Sequence, residues 1–290
     1  MTQMVINIPT LNDDDGAFKK LFEIWSQVCG HGQQVLFEFS RCHFLRPNAL
    51  AFLGGLTRLI EFRMGTVIFD WNTLSDLHVK NTLIQNGFAG AFGLYSTGRT
   101  GHSIPYREDS VWDANSIIDY LEHYWLGRGW VHVSSRLRDA IVGRVWEIYN
   151  NAFEHSQSEI GVFSCGQHFY KKTDLILSVV DFGQGIPAKV RAFLSRDPRA
   201  SQLTAAGCLR WAFQRGNTTK EDEPGGLGLD LLKEFIRINQ GKLEVYSNEG
   251  YAIINNDGER YENRDIGFEG TMMHITLRCD EKLYRFADET

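Results

Sequence analysis

Three short stretches hold the residues with chemistry to offer. In residues 145–156, VWEIYNNAFEHS, Glu147, Asn151 and His155 recur every four positions. At about 100° per residue, that spacing lines up a carboxylate, a carboxamide and an imidazole along two turns of a helix. Such a row can wall a ligand: the glutamate positions or deprotonates a water, and the asparagine oxygen holds a hard cation. In residues 181–187, DFGQGIP, an acid closes an apolar run, and Gly183 and Gly185 permit positive φ and close approach of a ligand to the backbone. Asp181 can there accept a hydrogen bond from an amino group such as that of adenine. In residues 225–229, GGLGL, bare N–H groups at a helix start can cradle phosphate. Each piece also has a plainer reading: a polar row is commonly a solvated helix face, and an acid with glycines commonly starts a turn. A Walker A loop does not fit, because no Lys-Ser/Thr pair follows the glycines. A protein-kinase frame does not fit either, since no G-x-G-x-x-G precedes residues 181–183.

The elements that must position these residues follow from periodicity. Ser134 or Ser135 can cap a helix running to about His155, with Leu137, Ile141, Val145, Ile148 and Ala152 as its buried stripe. Residues 175–181, LILSVVD, suit a strand buried on both faces. A partly helical stretch fills residues 186–209, and a helix over 230–239 closes at Gly241. Residues 242–246, 251–255 and 271–277 are expected as strands. Upstream, strands at 4–9, 34–39 and 66–70 alternate with two amphipathic helices, one marked by Phe18, Leu21, Phe22 and Trp25, the other by Leu53, Leu56 and Ile60. A third helix over 76–86 ends at Gly87. Residues 96–116 break the periodicity, and SIPYR within them could be a strand docked across the boundary.

Taken together and in this order, Glu147-x-x-x-Asn151-Ala152-x-x-His155, Asp181-x-Gly183-x-Gly185-Ile186-Pro187, Gly226-Leu227-Gly228-Leu229 and Gly270-Thr271 resemble the GHKL superfamily. That group includes the ATP-binding domains of histidine kinases, anti-sigma-factor kinases, gyrase and mismatch-repair proteins. The resemblance implies an α/β sandwich (the Bergerat fold) over residues 117–290, a mixed sheet covered by helices. It also implies ATP and Mg2+ as ligands. Asn151 would coordinate Mg2+, Glu147 would activate the attacking group, and Asp181 would bind the adenine amino group. Gly183, Gly185 and Ile186 would shape the adenine pocket, which Thr271 would support. Gly226, Leu227 and Gly228 would lie at the phosphates, and His155 would touch phosphate or brace its helix. Residues 213–223 fall where the family has a mobile lid, from which Arg215 and Lys220 could reach a γ-phosphate. No histidine carries the acceptor pattern of an autophosphorylating histidine kinase.

Residues 1–95 resemble the STAS family through residues 35–56, VLFEFSRCHFLRPNALAFLGGL. The loop that commonly carries a phosphorylatable serine there reads Arg46, Pro47, Asn48, Ala49, without a hydroxyl. The α/β expectation is therefore a STAS-like interaction module, a linker over 96–116 and an ATP-binding module. A net charge of −6 argues against a nucleic-acid partner. No apolar run reaches spanning length, and five cysteines without a close pair fit reduced thiols in a cytoplasmic protein. A protein partner, regulator or phosphoacceptor, is expected, and a homodimer stays open. Hydrolysis or phosphoryl transfer stands against nucleotide-gated binding with little turnover.

Overall fold

Local capping starts the elements where the sequence places them. Asp14 Oδ1 accepts from Ala17 N at 2.9 Å and opens α1 (Asp15–Val28), which follows β1 (Met4–Asn7). After β2 (Gln34–Glu38), Pro47 sits in the first turn of α2 (Pro47–Phe62), its fixed φ suited to that position. β3 (Thr66–Asp70) completes a three-stranded parallel sheet in the order β1-β2-β3. Asp76 then caps α3 (Leu77–Gln85), and a left-handed Gly87 turns the chain into the short α4 (Phe88–Ala91). The computed structural model describes residues 3–94, 101–214, 216–217 and 229–289.

Residues 103–109, inside the stretch expected to link two modules, form β4 (Ser103–Asp109), the edge of the second sheet. α5 (Ala114–Tyr120) leads to the longest helix, α6 (Ser135–His155), capped by Ser134 Oγ on Leu137 N at 3.2 Å. β5 (Val162–Phe169) and β6 (Asp174–Asp181) form a hairpin, and α7 (Gly185–Phe193), α8 (Ala205–Ala212) and α9 (Asp230–Asn239) precede β7 (Lys242–Asn255) and β8 (Gly258–Arg278). The strand order is β4-β5-β6-β8-β7, and every pairing is antiparallel. The mixed sheet expected from the resemblance is thus corrected to an antiparallel one. The strands expected at 242–246 and 251–255 are one strand, bent by register shifts between Ser247 and Gly250. Past that bend the β7–β8 hairpin leaves the sheet and lies along α7 and α8.

Both faces of the second sheet are covered, which is why β6 reads as an unbroken apolar run. Leu175, Leu177 and Val179 share one core with Ile141, Val145 and Ile148 of α6 and Leu232 and Ile236 of α9. Val180, Phe163 and Cys165 face the other way, into a core made with Phe18, Phe22, Phe52 and Leu56 of the N-terminal helices. The N-terminal module is thus the second layer over this sheet. Its helix α2 approaches closely at Gly54 and Gly55: a Cβ at Gly54 would meet Tyr106 Oη at 2.0 Å, and one at Gly55 would meet Phe182 Cε2 at 2.3 Å.

A polar seam runs through this second core. Ser178 Oγ lies 2.8 Å from His274 Nδ1, and His274 Nε2 lies 4.0 Å from Asp13 Oδ2. Arg46 is buried, with Nε 3.5 Å from Asp13 Oδ1 and its guanidinium carbon 3.9 Å from the Phe169 ring centre. Burial holds the His274 pKa well below the ordinary imidazole range, so the ring is neutral.

Gly55→Ala should therefore destabilise the chain by about 1–3 kcal/mol, because the added methyl must displace buried rings. Gly143, in α6, meets no atom within 4 Å, so Gly143→Ala should stabilise by up to about 1 kcal/mol. Urea unfolding of both variants checks this; equal effects would mean that α2 does not rely on its missing side chain.

Candidate functional site

The end of the second sheet where β6 stops gathers most of the chemistry. Asp181 pairs with Thr271 across β8, and Thr271 pairs with Ser247 across β7. These three side chains form a buried row. Asp181 Oδ1 accepts from Gly183 N at 3.1 Å, and the carboxylate is further held by Thr271 N and the Ser156 hydroxyl. An ionised carboxylate offers about four acceptor sites, so capacity for one more donor remains. Burial pushes the Asp181 pKa up to about 7, against the lowering effect of those three hydrogen bonds.

The glycines beside Asp181 serve the chain's own contacts. A Cβ at Gly183 would meet Ser156 O at 2.0 Å, and Gln184 N donates to that same oxygen at 2.7 Å. Gln184 Nε2 reaches His155 O at 3.1 Å. The turn after β6 is thereby fastened to the C-terminal end of α6. Gly185, at φ +78°, lies against Asn248, whose Oδ1 would sit 2.5 Å from a Cβ. Ile186 N donates to Ser247 Oγ at 2.8 Å, and that hydroxyl also bonds Gly270 O and Thr271 Oγ1. At both glycines the space a side chain would take is filled by the chain itself.

Glu147, Asn151 and His155 share one side of α6. Asn151 is exposed. His155 Nε2 lies 3.6 Å from Glu154 Oε2. Glu147 is half-buried and receives Arg144 Nη1 at 2.5 Å. His155 and Ser156 fasten the C-terminal end of this row to the Asp181 turn. Among the described residues no cluster of three or more His, Cys, Asp or Glu side chains could hold a metal. A hard cation beside Asn151 would take its other oxygens from a ligand and water, as Mg2+ commonly does.

Arg215, Lys220, Gly226, Leu227 and Gly228 lie outside the described residues. The flanks of that stretch are described. Phe213 follows α8, Leu229 precedes α9, and buried Lys233 of α9 donates to Phe213 O at 2.6 Å while pairing with Glu259 at 3.1 Å. One lysine therefore ties Phe213, at the end of α8, to α9.

Sequence reading missed Ser156, Ser247, Arg144 and Lys233. Arg144 stands three residues before Glu147, a spacing at which opposite charges meet on a helix. Lys233 falls on the apolar side of α9, with Leu229 and Ile236 at helical spacing. Ser156 directly follows His155. Ser247 gives no signal, because its role depends on pairing across β8. The chain matches no protein-family model and no curated protein sequence.

The raised pKa of Asp181 has a pH signature. Between its ordinary value of 3.8 and about 7, the folded chain keeps a proton that the unfolded chain releases. This group's contribution to stability is therefore full below about pH 4 and is lost as pH rises through 7. Asp181→Asn should gain stability relative to the parent between pH 5 and pH 8, by on the order of 1–4 kcal/mol. Thermal melts of both proteins at the two pH values measure it; an equal difference at each would mean that Asp181 titrates normally.

Proposed function

We propose that this chain binds Mg-ATP along the wall formed by α6 and the end of β6, and hydrolyses it or passes its γ-phosphoryl group to a protein partner. One observation carries the reading: His155, Asp181 and Thr271, far apart in the chain, are joined at one end of one sheet through Ser156, Gln184 and Ser247, and Asn151 stands one turn before His155 on the same side of α6. In this assignment Asp181 accepts from the adenine amino group, and Thr271 braces that carboxylate through its backbone N–H. Asn151 offers its carboxamide oxygen to Mg2+, and Glu147 orients or deprotonates the attacking group. The cation would supply charge neutralisation of the phosphates. The glycines at 226 and 228 remain assigned to phosphate by the sequence pattern, with Arg215 and Lys220 as the cations of a lid.

One feature favours a second reading, in which the nucleotide gates a protein contact and turnover is slow. Glu147 is engaged by Arg144, and a base in an ion pair must release its partner before it takes a proton. The N-terminal module then has the role of a fixed platform. The N-cap and first turn of α2, Arg46–Ala49, lack a hydroxyl, and Arg46 and Asn48 are buried, Arg46 against Phe169 of β5. A phosphorylation switch at that position has neither acceptor nor access.

Calorimetric titration of the purified chain with ATP tests the reading. Binding should require Mg2+, and Asn151→Ala should weaken it at least tenfold. Glu147→Gln should bind within about threefold of the parent while any turnover falls by roughly a hundredfold or more. If turnover is instead unchanged, the gating reading stands. No binding at millimolar ATP would remove both.

A further inference from the structure

A second pair of chemically active side chains lies on the edge of the sheet, on β4 and β5. His168 N donates to His102 O at 2.8 Å, continuing the antiparallel ladder past the Ser103–Gln167 pair. The two imidazoles face each other with Nδ1 atoms 2.9 Å apart. Trp130 stacks on both rings, at 4.8 Å from His168 and 6.1 Å from His102, and Tyr170 lies 5.3 Å from His102. His102 is exposed and His168 half-buried. Burial, and then His102 itself, hold the His168 pKa below the ordinary imidazole range, so it offers a neutral ring near pH 7.

We propose that His102 and His168 form a two-histidine chelate for a single borderline divalent cation, Cu2+ or Ni2+ in preference to Zn2+. The preference comes from the ligands. Imidazole nitrogens bind Cu2+, Ni2+ and Zn2+, and the affinity of a given nitrogen site peaks at Cu2+. Two rings held side by side on adjoining strands, their Nδ1 atoms 2.9 Å apart, can turn to take neighbouring positions of a square-planar or tetragonal ion. In the metal-free pair one Nδ1 carries the proton that joins the rings. On binding, that ring changes to its Nε2–H tautomer, so neither imidazole loses its last N–H. The rings must turn their lone pairs from one another toward a common point, and the broad χ2 well of histidine allows it. Water fills the remaining positions. The bound ion would clasp the start of β4 to β5.

The test uses the full-length chain without an affinity tag, titrated with CuCl2, NiCl2 and ZnCl2 in a non-chelating buffer. One Cu2+ per chain is expected, with affinity falling from Cu2+ to Ni2+ to Zn2+, and each of His102→Gln and His168→Gln weakening Cu2+ at least tenfold. The electron paramagnetic resonance spectrum should show two equivalent nitrogens, and Cu2+ should quench fluorescence that Trp130→Phe removes. Cu2+ should raise the melting temperature of the parent and leave that of the double variant unchanged. Binding that persists in the double variant would overturn the proposal. So would single variants that bind as tightly as the parent, or Zn2+ bound more tightly than Cu2+.

Discussion

Helix α2 can lie on the second sheet only because residues 54 and 55 have no side chains. Much of the architecture depends on that approach. It brings Phe52 to 5.2 Å from Phe182 and 5.0 Å from Phe268, ring centre to ring centre, closing an aromatic core that neither half of the chain could fill alone. It also explains why Phe182, inside the glycine turn, is buried: the same ring that covers α2 fixes the residue after Asp181. The platform and the candidate site are therefore mechanically continuous.

The polar seam beside this core shows what the docking costs and how the cost is contained. Arg46 pairs with Asp13 and also acts on the Asp174 carboxylate, and its Nε and Nη1 lack hydrogen-bond partners among the described residues. The Phe169 face adds to the compensation of its charge. His274 avoids a buried charge by staying neutral, while its Nε2, like the Arg46 nitrogens, has no hydrogen-bond partner among the described residues. Buried groups of this kind add little net stability, but they disfavour any other placement of the N-terminal loop, where Asp13 would leave a cation unpaired.

The sequence made the elements legible and left their partnerships dark. Ser134 and the stripe from Leu137 to Ala152 locate α6 to within a residue, because helix caps and periodicity are local properties. β6 was legible as doubly covered, since both faces of 175–181 are apolar. What would cover it was not, because the aromatic and aliphatic residues of α2 read equally as the core of a separate module. Strand direction also escaped: a buried run looks the same in a parallel and an antiparallel sheet. The candidate site was partly visible. Asp181 and Asn151 stood out by type and setting, whereas Ser247 matters only through a register set by β8. Gly183 and Gly185 were legible as special; that their missing side chains make room for Ser156 and Asn248 was not, because only a folded chain reveals which atoms fill that space.

The shared aromatic core also fixes an order of events during synthesis. Helices α1 and α2 complete their packing only with Tyr246, Phe268 and Met272, some two hundred positions later in the chain. At about 5–20 residues per second, a ribosome leaves those apolar faces waiting for about ten seconds or more. Contacts so distant in sequence also slow the final collapse, because loop closure must precede the burial that rewards it. The nascent N-terminal half thus keeps an apolar face uncovered until the last hairpin arrives to complete its core.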